Sequence, residues 1–125
     1  MAIETVRISK QGRDQLLTLK RRTGIANWNI LCRWAFCVSL SEESPPRDEP
    51  VAGEQPVEMT WRTFGGEKAD VYLALLKQRC HADGHGLQDE TLSHQLRLHL
   101  HRGISYLAGD KSLNIGKLIQ RASGK

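Results

Sequence analysis

One stretch, Trp28 to Leu40 (WNILCRWAFCVSL), stands apart from the rest of the chain in its hydrophobic pattern. At 100° per residue, Trp28, Ile30, Leu31, Cys32, Trp34, Ala35, Phe36, Cys37, Val38 and Leu40 cover nearly the whole circumference, which predicts a helix buried on all sides. Only Asn29, Arg33 and Ser39 interrupt it. The segment is shorter than the roughly 20 apolar residues of a membrane span, so its cover has to come from protein. A chain of 125 residues wraps one helix completely only with difficulty, and a second copy is expected to supply part of the cover.

Upstream, Glu4 to Ser9 alternates, with Val6 and Ile8 on one face and Thr5, Arg7 and Ser9 on the other, the signature of a short half-buried strand. Ser9 can cap a helix from Lys10 to about Thr23, and Gly24 stands where a C-terminal cap belongs. Leu16, Leu19 and Thr23 form a narrow packing face. Lys10, Arg13, Lys20 and Arg21 fall within an arc of about 100°, with Leu17 among them. Asn27 is positioned to cap the apolar helix.

Ser41 to Gln55 (SEESPPRDEPVAGEQ) reads as a mobile connector, with Pro45, Pro46 and Pro50 and five acidic residues. Val57, Met59 and Trp61 alternate as in a short strand, and Phe64-Gly65-Gly66 reads as a turn. Glu67 to Cys80 is amphipathic, with Ala69, Tyr72, Leu73, Leu76 and Cys80 on one face. After HADGHG, a further helix from Gln88 to Leu107 aligns Leu92, Leu96, Leu100 and Leu107, with Arg97 and Arg102 directed elsewhere. The tail has a short apolar pattern at Leu113, Ile115, Leu118 and Ile119, flanked by Lys111, Lys117, Arg121 and Lys125.

The expected architecture is therefore mainly α in one domain. Residues 1–40 have the order of a ribbon-helix-helix unit, residues 41–56 are an acidic Pro-rich loop, and residues 57–125 are helical. In a ribbon-helix-helix protein two copies pair their strands and the outward strand residues read bases in the major groove. Here those would be Thr5, Arg7 and Ser9, a thin set for base-specific contacts.

Charge sharpens the picture. The net charge of +4 hides a sorted distribution: seven basic and two acidic residues over 1–40, three and eight over 41–70, eight and four over 71–125. Two basic blocks around an acidic connector suggest a polyanionic partner, and a solvated charged surface is the competing explanation. The start, MAIETVRISK, lacks the features of a signal peptide, which favours the cytoplasm. An odd number of cysteines, two of them in the apolar helix, predicts buried reduced thiols rather than disulfides.

Candidate chemistry is sparse. Cys80, His81, His85, His94, His99 and His101 are crowded together, but His94 and His101 would lie about 10.5 Å apart along a helix, too far to share one zinc. No metal and no cofactor is expected. There is no Walker pattern, nucleophile elbow or paired-carboxylate arrangement, and neither Cys32 nor Cys37 has a nearby base. No enzyme is indicated.

The segments VRISKQGRDQLLTLKRRTGIANWNILCRWAFCVSL, TFGGEKADVYLALLKQR and LHLHRGISYLAGD resemble the DndE family of DNA sulfur modification (DNA phosphorothioation) proteins. The resemblance implies a small non-catalytic component of a bacterial system that replaces a non-bridging phosphate oxygen of DNA with sulfur. It implies a tetramer that binds double-stranded DNA, preferring nicked duplex, beside a cysteine desulfurase, a sulfotransferase-like reductase and an ATPase. Carried onto this chain, it points to Lys10, Arg13, Lys20, Arg21 and Arg22 of the first helix for DNA contacts, to which the outward strand residue Arg7 is added. Leu17, Gly24, Trp28, Leu31, Trp34 and Val38 are the expected subunit interface. A protein–protein adaptor and an autonomous ribbon-helix-helix regulator are the alternatives.

Overall fold

The computed structural model describes residues 3–48 and 53–122. Pro50 and Lys125, counted above in the connector and the tail, lie outside the described residues, as does the side chain of Arg121.

The N-terminal unit forms from local signals. Strand β1 (Thr5–Ile8) turns Val6 and Ile8 inward, and Ser9 then caps helix α1 (Lys10–Thr23) by accepting from the Gly12 amide at 3.1 Å. Gly24 ends α1 in the left-handed region (φ 76°), donating to the Lys20 carbonyl, a conformation glycine adopts without penalty. Helix α2 (Trp28–Ser41) follows, with Asn27 at its N-cap position but no capping bond from its side chain.

The pairing of β1 corrects one expectation. It runs antiparallel to β2 (Val57–Thr60) of its own chain, Thr5 opposite Thr60 and Ile8 opposite Val57, and the Trp61 amide donates to the Glu4 carbonyl beyond the strand. The strand pairing is thus made within one chain, unlike the two-copy ribbon of a ribbon-helix-helix dimer. Trp61 opens helix α3 (Trp61–Gly65) instead of extending the strand, because Thr60 caps that helix by accepting from the Thr63 amide at 3.0 Å. A 3-10 turn (Gly66–Lys68) leads into α4 (Ala69–Ala82), α5 (Asp89–Gly109) and α6 (Ile115–Ala122).

The most enclosed helix is α5, not α2. It buries Leu92, Leu96, Leu100, Ile104 and Leu107 as the leucine pattern suggests, but also Gln95, Leu98, His99 and Gly103. Helix α2 buries Leu31, Cys32, Ala35, Phe36 and Ser39, an arc of about 140° on a helical wheel. Its other apolar positions, Trp28, Ile30, Trp34, Val38 and Leu40, are only half-buried, and Cys37 is exposed. Within its own chain α2 is thus only partly covered on the side where cover from a second copy is expected; the expectation of a buried Cys37 is corrected.

The two helices cross where neither has bulk. A Cβ built on Gly103 would lie 1.8 Å from the Ala35 carbonyl oxygen and 2.4 Å from its carbon, so the backbones are in direct contact. One turn away, His99 Nδ1 meets Ser39 Oγ at 2.8 Å. Since Gly103 faces Ala35 and His99 faces Ser39, the helices run antiparallel through this contact. Phe36 continues the packing edge-on to Phe64 and Tyr72, with ring centroids 5.9 and 6.0 Å away.

The clash at Gly103 involves backbone and cannot be relieved by a rotamer change. Gly103→Ala would gain about 1 kcal/mol of helix propensity. Forcing the helices apart costs more, at the upper end of the ~1–3 kcal/mol typical of overpacking or beyond it. Urea denaturation should show a net loss of about 2 kcal/mol or failure to fold; an unchanged midpoint would contradict the close crossing.

Candidate nucleic-acid interface

The basic residues of the N-terminal half divide into two groups by what they touch. Lys10, Lys20 and Arg21 are exposed on α1, and none has a carboxylate partner among the described residues. Their spacing along the helix, about 15 Å from Lys10 to Lys20, lets them reach successive phosphates. Arg7 is exposed too but lies 3.8 Å from Glu58 across the sheet. Arg13 is half-buried, 3.6 Å from Asp14.

Arg22 belongs to the second group. Its Nη1 donates to the carbonyls of Ala108 at 2.8 Å and Asp110 at 3.3 Å, at the C-terminal end of α5. These are carbonyls a helix leaves without internal partners, and a cation there also complements the helix dipole. Arg22 is thus engaged in its own fold, which corrects its assignment to phosphate contacts. The helical wheel offered a hint, because Arg22 lies about 100° from Arg21.

Other arginines turn inward in the same manner. Arg33 Nε donates to the Phe64 carbonyl and its Nη2 to that of Thr63 at 3.2 Å, against Gly66 (φ 60°), whose missing Cβ leaves room for the guanidinium. Arg79 donates to the carbonyls of Leu40 (2.9 Å), Glu42 (2.6 Å) and Ser44 (2.8 Å) and pairs with Asp83 at 2.9 Å. Arg102 reaches Ser39 Oγ at 2.9 Å and the carbonyls of Ser39 and Ser44, each at 2.8 Å. The C-terminus of α2 and the start of the connector are held by these two side chains, and His94 adds a 2.8 Å contact to Asp48. The described part of the connector is therefore anchored, contrary to the expectation of mobility.

Ser9 is buried as the cap of α1, so it does not join Arg7 and the half-buried Thr5 as a base reader. Among the expected interface residues, Leu17 is 47% exposed, and Trp28, Trp34 and Val38 are half-buried on α2. Gly24 serves as a backbone cap. Leu31 is completely buried within its own chain and cannot form a subunit contact, which corrects that expectation. Ile30 and Cys37 lie on the same side of α2 as Trp34 and complete an apolar strip at helical spacing.

The histidines are dispersed among separate tasks. His101 accepts from the Ser9 amide at 3.1 Å, His94 meets Asp48, and His99 meets Ser39. Among the described residues no three His, Cys, Asp or Glu side chains converge as a metal site would require. Burial pushes the Cys32 thiol up to about 12 and raises Cys80 as well, the opposite of what an activated thiolate needs. No helix among the described residues is long and apolar enough to cross a membrane.

These features define a small, mainly helical domain whose strand-helix-helix start presents a cationic helix face to solvent. The chain belongs to the DndE family: its residues 5–115 match the family model described as DNA sulphur modification protein DndE. It is similar to the crystal structure of DndE from Escherichia coli B7A, involved in DNA phosphorothioation modification, with 28% identity and a TM-score of 0.70 over 86% of this chain and 98% of that one. It is also similar to a DndE G21/24K mutant involved in DNA phosphorothioation, with 25% identity and a TM-score of 0.66, covering 85% of this chain and 97% of that one. No curated protein matches the chain.

His99 ties the helix crossing to pH. Its ring is completely buried, and Nε2 has no hydrogen-bond partner among the described residues. Burial, reinforced by the Arg79 and Arg102 charges, lowers its pKa to about 4. The unfolded chain, with an ordinary histidine near 6.5, binds the proton first, so this contribution to stability is complete above about pH 6.5 and is lost as pH falls towards about 4. The loss should amount to roughly 2–4 kcal/mol, and His99→Asn should flatten the stability–pH curve in that window. Equal slopes in wild type and variant would contradict a buried neutral His99.

Proposed function

We propose that this chain is a non-catalytic DNA-binding subunit of a DNA phosphorothioation system, working in the cytoplasm. The observation that carries the reading is the row of cations, Lys10, Lys20 and Arg21, exposed on α1 and without a carboxylate partner among the described residues, while Arg13 lies beside Asp14 and Arg22 is held by the fold. Exposed charges without partners bind phosphates at low desolvation cost, and counterion release drives the association. Family membership supplies the setting, a system that modifies the DNA backbone.

The apolar strip of α2, Ile30, Trp34, Cys37 and Val38, supports self-association, with the tetramer as the assembly. Several copies of α1 would then place their cations on one continuous surface. Double-stranded DNA is the ligand, and nicked duplex is favoured because a nick lowers the energy of bending DNA onto such a surface. An ATPase and a sulfotransferase-like reductase are the partners that carry the chemistry.

Val71 and Leu75, exposed at 53% and 37% on α4, favour a second reading in which the chain chiefly bridges other proteins of the system. Charge reversal separates the two. For DNA binding, Lys20→Glu/Arg21→Glu should weaken duplex affinity by at least about tenfold in gel-shift titrations and reduce the log–log salt slope by about two per bound chain, with the thermal melt unchanged. Retained DNA affinity together with loss of co-purifying partners would favour the adaptor instead. A duplex affinity indifferent to salt would sink the DNA reading altogether.

A further inference from the structure

Between the first turns of α1, the second half of α5 and two pieces of the connector lies a cavity of about 710 Å3 that opens to solvent. Small-molecule sites span roughly 300–1,000 Å3, so the space is of ligand size. Its walls are held in place. The Lys10 amide donates to the Glu54 carbonyl at 3.0 Å, Arg102 binds the Ser44 carbonyl, His94 meets Asp48, and His101 accepts from the Ser9 amide. Both ends of the connector are thereby fixed against the helices.

The lining is split in character. Pro46, Leu98 and the ring of Tyr106 supply apolar surface, and Tyr106 is 46% exposed. Three cations line it: Arg102, held by Ser39 and Ser44, and Lys10 and Arg47, neither with a carboxylate partner among the described residues; Glu54 is the acidic residue of the described lining. The N-terminus of α1 adds little, since the Lys10 and Gly12 amides are already bonded. Recognition of a ligand therefore falls chiefly to side chains.

A flat ring and two cations lining one cavity, the cations without carboxylate partners among the described residues, fit a ligand with an aromatic face at one end and a phosphate at the other. We infer that this cavity binds a nucleoside 5′-phosphate, the base against Tyr106 and the phosphate between Lys10 and Arg47. Stacking on an aromatic side chain is tolerant of base identity, so the site selects the class and not one base. The nucleotide has two sources, a free mononucleotide or an unpaired nucleotide at the end of a DNA strand. In the second case the inference rests on the DNA-binding reading above.

Isothermal titration of the full chain with deoxyadenosine 5′-monophosphate, inorganic phosphate, a blunt duplex, and the same duplex carrying a 5′-phosphorylated four-nucleotide tail tests it. The mononucleotide should bind at least about tenfold more tightly than inorganic phosphate. Tyr106→Ala, which removes the ring, and Ser105→Trp, which fills the cavity, should each remove that advantage without altering the melting curve. A tailed duplex that outbinds the blunt one, with the difference erased by Tyr106→Ala, identifies a strand end as the source; equal duplexes identify the free nucleotide. Mononucleotide binding no tighter than phosphate, or unchanged in both variants, overturns the inference. Mononucleotide binding without any duplex binding upholds it and sinks the DNA reading, while duplex binding alone does the reverse.

Discussion

Gly103 brings α5 so close to the Ala35 backbone that no side-chain carbon fits between them, and this spacing positions the groups packed around the crossing. A glycine inside a helix costs about 1 kcal/mol relative to alanine, and here the close approach of α2 and α5 offsets that cost. With the axes so near, His99 meets Ser39 one turn along, and Phe36 reaches the aromatic cluster of Phe64 and Tyr72. The same approach brings the end of α2 within range of Arg102, while Arg79 arrives from α4.

From this crossing follows a division of labour among the basic side chains. Arg22, Arg33, Arg79 and Arg102 serve helix ends and turns, where the planar guanidinium can satisfy several carbonyls at once. Lys10, Lys20 and Arg21 remain outside. The net positive charge is thus an incomplete guide to the binding surface, because much of the arginine content is committed to the fold. On α1 the cations left over are Lys10, Lys20 and Arg21, exposed on one face, while Arg62, Lys68, Lys111 and Lys117 are exposed elsewhere on the surface.

Local features were readable from the sequence. The bounds of α1, its Ser9 cap and its Gly24 stop follow from residue chemistry within a few positions, and the Leu76 and Cys80 face of α4 follows from its period. Long-range features were not. The partner of β1 lies some fifty residues downstream, beyond the acidic connector, and alternation in TVRI says nothing about which strand will pair with it. Arginines on a helical wheel default to solvent, so the inward turn of Arg22 was hidden except for its angle. The all-round apolar pattern marks α2 as the helix that needs most cover, yet within one chain the more polar α5 is the more enclosed. Its histidine and glycine tolerate enclosure because α2 meets them with a hydroxyl at Ser39 and a small residue at Ala35.

On the proposed reading, DNA lies along the exposed face of α1. Lysine acetylation footprinting in the presence and absence of a nicked duplex tests it at single residues. Lys10 and Lys20 should be protected by the DNA, while Lys68, exposed in the turn before α4, should react at an unchanged rate. Protection of Lys68 with Lys10 and Lys20 still reactive would contradict the account.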